Sequence, residues 1–168
     1  MKIIPKYFVI FLAIFSFIII GIFACKKSSP MYITEGDIWE IMDEVEIATL
    51  DKDINGVIKH LAPSVVIRVT TNTPFGPQKV QMTREEYKAE TLKGWAMTSN
   101  NEYRFENEEI KISDDGQIAV VETDVIERYV LQGQTINTTT HERVTLEVVD
   151  GEILVTRIDA TMSMQSVI

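Results

Sequence analysis

The sequence predicts an α+β domain in which three helices cover one face of a curved antiparallel sheet. Three observations predict it: apolar residues recur at helical spacing in the first half, long alternating runs fill the second half, and turn residues cut those runs. The 168 residues are 45% apolar and 24% charged, with 16 Lys and Arg against 25 Asp and Glu. That suits one folded domain, and no internal repeat or second linker follows residue 30.

The chain opens with an address. Lys2 and Lys6 precede an apolar run from Tyr7 to Phe23, broken by Ser16 and Gly21, and Cys25 follows. A basic start, an apolar middle and a small residue before the cut are the layout of an export signal. Residues 1–24 are therefore read as the signal, 25–30 as a polar tether and 31–168 as the domain. An uncleaved signal anchor is the alternative, since 17 residues at 1.5 Å rise give about 25 Å, near the thickness of a thin hydrocarbon core. Without residues 1–24 the chain carries 14 basic and 25 acidic residues, a net charge of −11. Such a surface argues against nucleic acid or anionic headgroups as the main partner. The single Cys permits no internal disulfide, and a chain this long needs none.

Thr34 and Asp37 form a capping pattern, after which Ile38, Ile41, Met42, Val45 and Ala48 keep helical spacing, which predicts a helix over 35–51. Asp53 caps a short second helix with Ile54, Val57, Ile58 and Leu61 on its buried face and Pro63 at its end. Val65 to Thr71 is β-branched and bounded by turn residues, so it reads as a strand, with Lys79 to Met82 pairing back on it. Thr83-Arg84-Glu85-Glu86 is a capping box. The helix it opens carries Tyr87, Thr91, Trp95 and Met97 on one side and frays at Ser99-Asn100-Asn101. Breaks at Asp114-Asp115-Gly116, Gln132-Gly133 and Asp150-Gly151 divide the remainder into four antiparallel strands, about 102–112, 117–130, 135–149 and 152–164.

Two resemblances follow from these residues. Ile22-Phe23-Ala24-Cys25 resembles the lipobox of bacterial lipoproteins, which implies cleavage before Cys25, its diacylation and a membrane anchor in the cell envelope. Lys26 stands where an Asp would imply inner-membrane retention. By the same resemblance the anchor is in the outer membrane of a Gram-negative cell, or otherwise on the outer face of the plasma membrane. The order of elements, Ala62-Pro63-Ser64-Val65-Val66-Ile67, the Thr83 to Tyr87 helix start ending near Gly94-Trp95, and Asp150-Gly151-Glu152-Ile153 resemble the nuclear transport factor 2-like superfamily, in the style of its SnoaL-like branch. That resemblance implies a cone-shaped, cystatin-like roll, commonly a homodimer through the outer face of the sheet, with a pocket at its open end. Catalytic members of the superfamily place an Asp, His or Tyr inside the cone.

Strand register says which polar groups face inward. A tight turn at 131–134 sets Val130 opposite Thr135, so Val121, Thr123, Val125 and Tyr129 share a face with Val144, Glu142, Thr140 and Ile136. The opposite face pairs Glu122 with Arg143 and Asp124 with His141, cross-strand ion pairs that need no catalytic reading. The first face is the more apolar and is assigned to the cone. Candidate ligand-binding residues are then Tyr87, Trp95, Tyr103, Tyr129 and Glu142. If Asp150-Gly151 is a two-residue turn, Arg157 and Asp159 join Glu142 inside; a one-residue bulge turns them outward. The first register is expected, because Ile153 and Val155 are the better core residues, and it makes Arg157 a further ligand-binding candidate.

Glu142, Asp159 and Arg157 are the catalytic candidates, since a carboxylate near Arg in an apolar pocket can serve as a base or an anion site. The same cluster is equally a buried ion pair that fixes register. His60, at the end of the second helix, suits the helix dipole as a structural residue. The sequence has no Gly-rich phosphate loop, nucleophile elbow or metal-ligand spacing, so neither cofactor nor metal is expected. The expected role is non-catalytic: a small apolar or amphipathic ligand bound in the cone, or an envelope interaction module. The alternative is a cofactor-free isomerase or cyclase using Glu142 or Asp159 as base.

Overall fold

Threonine opens both long helices of the computed structural model, which describes residues 32–73 and 76–167. The export signal, lipidation at Cys25 and the tether lie outside the described residues. In α1 (Glu35–Leu50) the Thr34 hydroxyl accepts from the Asp37 amide while the Asp37 carboxylate accepts from the Thr34 amide at 2.8 Å. This capping box satisfies two amides that no helical carbonyl reaches. The helix buries Ile38, Met42 and Ala48. Asp53 caps α2 (Ile54–Ile58), which buries Val57 and Ile58. Thr83 and Glu86 repeat the capping box at α3 (Arg84–Met97). None of the α3 residues is fully buried. Arg84 ties its start to the Ile58 carbonyl at 3.0 Å, and Lys52 ties its end to the carbonyls of Trp95 and Thr98 at 3.1 and 3.2 Å.

Six strands, β1 (Leu61–Thr73), β2 (Gly76–Met82), β3 (Thr98–Ile112), β4 (Ile118–Leu131), β5 (Gln134–Val149) and β6 (Glu152–Val167), form one sheet in the order β2-β1-β6-β5-β4-β3. The sheet is mixed rather than wholly antiparallel, because β1 runs parallel to β6. The hairpins constrain only neighbours in sequence. β1 and β6 are separated by α3 and the whole meander, so their relative direction is free. The hairpins behave as their sequences require: Gln132-Gly133 and Asp150-Gly151 both have positive φ at both positions, the backbone of a two-residue turn matched to strand twist.

Two expected boundaries move. β1 starts at Leu61 and runs through Pro63, which does not close a helix; Pro63 is exposed, and the register with β6 shifts between Leu61 and Val66, where its missing amide leaves no broken rung. Ser99-Asn100-Asn101 is strand rather than frayed helix, because the Thr98 hydroxyl closes α3 on the Gly94 carbonyl at 3.0 Å and the chain enters β3 at once. Asn100 takes a left-handed φ of 54° at a register shift in β3, and Asn107 does so at the next. Such bulges bend the strand that carries them, and β3 curls accordingly. The core lies between α1, α2 and the concave face of the sheet, where Ile38, Met42, Ile58, Leu61, Ile67, Val121, Leu146 and Val155 pack together.

Candidate functional site

Alternation along β4 and β5 builds a cavity wall rung by rung. The inward pairs are Thr123 with Glu142, Val125 with Thr140, Glu127 with Thr138 and Tyr129 with Ile136. The flanking strands extend these rungs, with Tyr103 beside Glu127, Phe105 beside Val125 and Ala160 beside Glu142. Glu142 thus stands between two small residues, Thr123 and Ala160. The space they leave belongs to an inner cavity of about 130 Å³ walled mainly by aliphatic side chains of α1, β1 and β6. Next to it lies a cleft of about 800 Å³ bounded by α3, to which Trp95, Tyr129, Glu127 and Thr140 contribute. Tyr87, Tyr103 and Glu142 line both spaces, together with the aliphatic Val45, Val57, Val69 and Ala160.

The electrostatics of this boundary are unusual for a carboxylate-rich protein. Glu142 makes no hydrogen bond and no ion pair among the described residues. Burial raises its pKa to about 7; the charge of Glu127 adds to the rise and His141, across the sheet, opposes it. Glu127 is also pushed up by burial, against one hydrogen bond donated by the Thr138 hydroxyl at 3.2 Å. Burial, and then the Glu142 charge, hold Tyr87 and Tyr103 well above the ordinary phenol range. Both therefore remain O–H donors at neutral pH. Tyr103 packs edge-to-face on Phe105 with ring centroids 5.4 Å apart. The cleft also holds two buried polar atoms without a partner, Thr140 Oγ1 and Asn101 Oδ1.

The structure brings Tyr87, Trp95, Tyr103, Tyr129 and Glu142 together and separates Arg157 and Asp159 from them. Val149 does pair with Glu152 across the two-residue turn, but the register shifts between Leu146 and Thr145, leaving Thr156 as an extra residue. Its hydroxyl donates to Glu147 at 3.0 Å. Past this bulge Ile158 and Ala160 face the cavity, while Arg157 and Asp159 pair with each other outside it, where Arg68 also reaches Asp159 at 3.6 Å. The physical reason is desolvation: two charges in the cone would exchange water for an apolar wall, whereas the bulge leaves both hydrated. Glu122 with Arg143 and Asp124 with His141 occupy the outer face, as the register implies.

Glu127 and its hydrogen-bond partner Thr138 carry no role in the sequence reading, and His60 is read there only as a structural residue at a helix end. Glu127 and Thr138 lie on the same alternation as Glu142, so the register that places one places the other two. His60 gives no such signal. It lines the inner cavity, and its Nε2 lies 2.7 Å from Glu44 of α1, a carboxylate that Lys59 also reaches at 2.7 Å. Its partner is this acid rather than the end of a helix. The hydrogen bonds from Lys59 and then His60 hold Glu44 below the usual carboxylate range. Among the described residues no group of three His, Cys, Asp or Glu side chains is placed to hold a metal ion.

No family model matches the sequence, and no curated protein does. Solved structures do match in fold. A nuclear transport factor 2-like protein from Cytophaga hutchinsonii superposes with a TM-score of 0.59 at 16% identity, covering 77% of this chain and 98% of its own. A conserved protein from Planctomyces limnophilus gives 0.65 at 17% identity, covering 76% and 94%. Hexachlorocyclohexane dehydrochlorinase LinA-type3 from Novosphingobium barchaimii gives 0.60 at 12% identity, covering 77% and 87%. At these identities the likeness establishes the fold, a nuclear transport factor 2-like α+β cone.

The unpaired Glu142 has a consequence for stability. Between pH about 4.5 and about 7 the folded chain holds a proton on this carboxyl that the unfolded chain has released, so stability falls as pH rises through that window and levels off above it. The full shift corresponds to about 3 kcal/mol. Urea unfolding of Glu142→Gln at pH 8 is expected to show a gain of about 2 kcal/mol, shrinking to under about 0.5 kcal/mol at pH 4.5. A gain of the same size at both pH values would assign the effect to packing instead.

Proposed function

On this nuclear transport factor 2-like fold we propose a membrane-anchored, exported ligand-binding protein whose cone takes a small, mainly apolar molecule, with Glu142 as its polar anchor. The supporting observation is the apolar inner cavity that meets the wider cleft at Tyr87, Tyr103 and Glu142. Binding sites are commonly concave and apolar with a few convergent polar groups, and this arrangement has that character. The export signal and Cys25 supply the anchor, which puts the cone in the cell envelope. The family resemblance adds a homodimer through the outer face of the sheet. That face carries the Glu122–Arg143, Asp124–His141 and Arg157–Asp159 pairs, so such an interface is polar rather than a large apolar one.

A second reading rests on one specific observation, a carboxyl with a pKa near 7 beside two protonated phenols. Glu142 would then take a proton from carbon while a Tyr hydroxyl holds the oxygen on which charge develops, a cofactor-free isomerase or cyclase reaction. Asp159 and Arg157 have no part in it. That a dehydrochlorinase shares the fold is compatible with such chemistry and no more.

Native mass spectrometry of the protein purified from its host tests the binding reading. The wild type is expected to carry a small-molecule adduct, and Ala160→Leu, which fills the space beside Glu142, is expected to lose it. Two ligand-free species would count against a binding cone; the same spectra give the subunit number. The anchor is tested by fractionation: Cys25→Ser is expected to leave the membrane fraction or remain uncleaved, and an unchanged mature membrane form would overturn it.

A further inference from the structure

We infer that the ligand of this cone is an amine on an apolar body, its ammonium group seated at Glu142 and the Thr140 hydroxyl. The inference rests on the binding reading and adds the chemistry of the ligand. On the strands outside the cone, five carboxylates have cationic partners: Glu122 with Arg143, Asp124 with His141, Asp159 with Arg157 and Arg68, Glu106 with Arg104, Glu109 with Lys111; Glu147 accepts from the Thr156 hydroxyl instead, and Glu152 is exposed to water. At the rim, Glu90 has Lys93 and Glu102 has Arg128. Inside, among the described residues, Glu142 has no hydrogen-bond or ion-pair partner and Glu127 has only the Thr138 hydroxyl. No Lys or Arg is among the described residues that line either space.

A second, independent feature points to the same spot. Thr140 is 4% exposed, lines the cleft, and its Oγ1 has no hydrogen-bond partner. It is two residues from Glu142 on the same face of β5, about 7 Å along the strand. A buried hydroxyl left without a partner is costly, and a group that fills the cleft and donates to it removes that cost. An ammonium has three N–H donors and no acceptor. It can reach the Glu142 carboxylate and the Thr140 oxygen while Glu127, one rung beyond Thr140, adds to the negative field. Tyr87, Tyr103 and Phe105 supply aromatic faces that attract a cation and accept an apolar body. The inner cavity, at about 130 Å³, is of the order that admits a benzene-sized group. A carboxylate or phosphate ligand meets two acids that have no cationic partner among the described residues and is repelled.

Isothermal titration of the full-length protein at pH 8 with 2-phenylethylamine, 2-phenylethanol and 3-phenylpropanoate separates these chemistries on one apolar body. The amine is expected to bind at least tenfold more tightly than the alcohol, and the carboxylate most weakly. Glu142→Gln is expected to reduce the amine-over-alcohol ratio to about threefold or less, and Thr140→Val to lower it by a smaller factor. Asp124→Asn, on the outer face, is expected to leave the ratio as it is. Alcohol or carboxylate binding as tightly as the amine would overturn the inference while leaving a binding cone in place. Failure of all three to bind would overturn the inference together with the binding reading beneath it.

Discussion

β6 carries one residue more than β5 between the pairs Leu146–Val155 and Thr145–Arg157, and strand alternation makes that single bulge decide which charges the cone contains. With Thr156 taken up by the bulge, Ile158 and Ala160 line the cavity and the Arg157–Asp159 pair stays in water. Glu142 keeps its inward position because the pairing of β4 with β5 has no shift. The result is a carboxyl deprived of the guanidinium that would otherwise neutralise it. Ala160 arrives opposite Glu142 by the same step, and the absence of bulk there leaves room beside the carboxyl.

Such an arrangement costs stability above neutral pH and is not what packing alone favours. An apolar residue at 142 would fill the cavity, and an Arg from the neighbouring strand would satisfy the acid. Sites where local rules for a stable core are broken are where function is most often found. The surroundings extend the pattern: two phenols held protonated stand with Glu142 where cavity and cleft share a wall, and the cleft beyond holds a second acid, Glu127, and the Thr140 hydroxyl, buried without a partner among the described residues. The helix that bounds the cleft, α3, buries no residue fully and is tied at its ends by Arg84 and Lys52.

Much of this was legible in the chain. The two threonine capping boxes, the glycine turns at Gln132-Gly133 and Asp150-Gly151 and the β4–β5 register follow from local chemistry, and with them come the α+β cone and the inward positions of Tyr103, Tyr129 and Glu142. What was not legible is long-range or one-residue in origin. The parallel pairing of β1 with β6 joins segments far apart in sequence, and the contact of His60 with Glu44 crosses sixteen residues without a periodic signal. The Thr156 bulge is invisible to alternation because Arg157 and Asp159 keep period two on either face. Only the cost of burying both charges distinguishes the registers. Glu127 was available from the same register as Glu142, since Val125 and Tyr129 on either side of it share the inward face.

The site turns on Glu142, a half-buried acid with no hydrogen bond or ion pair among the described residues. Its most direct measurement is an NMR titration of the side-chain carboxyl carbon in the ligand-free protein, assigned by comparison with Glu142→Gln. A midpoint near 7 is expected, well separated from the outer-face carboxyls Asp124, held low by hydrogen bonds from Asn107 and then His141, and Glu109, held low by Lys111. A midpoint at the ordinary glutamate value of about 4.5 would show a solvated or paired carboxylate and contradict the account.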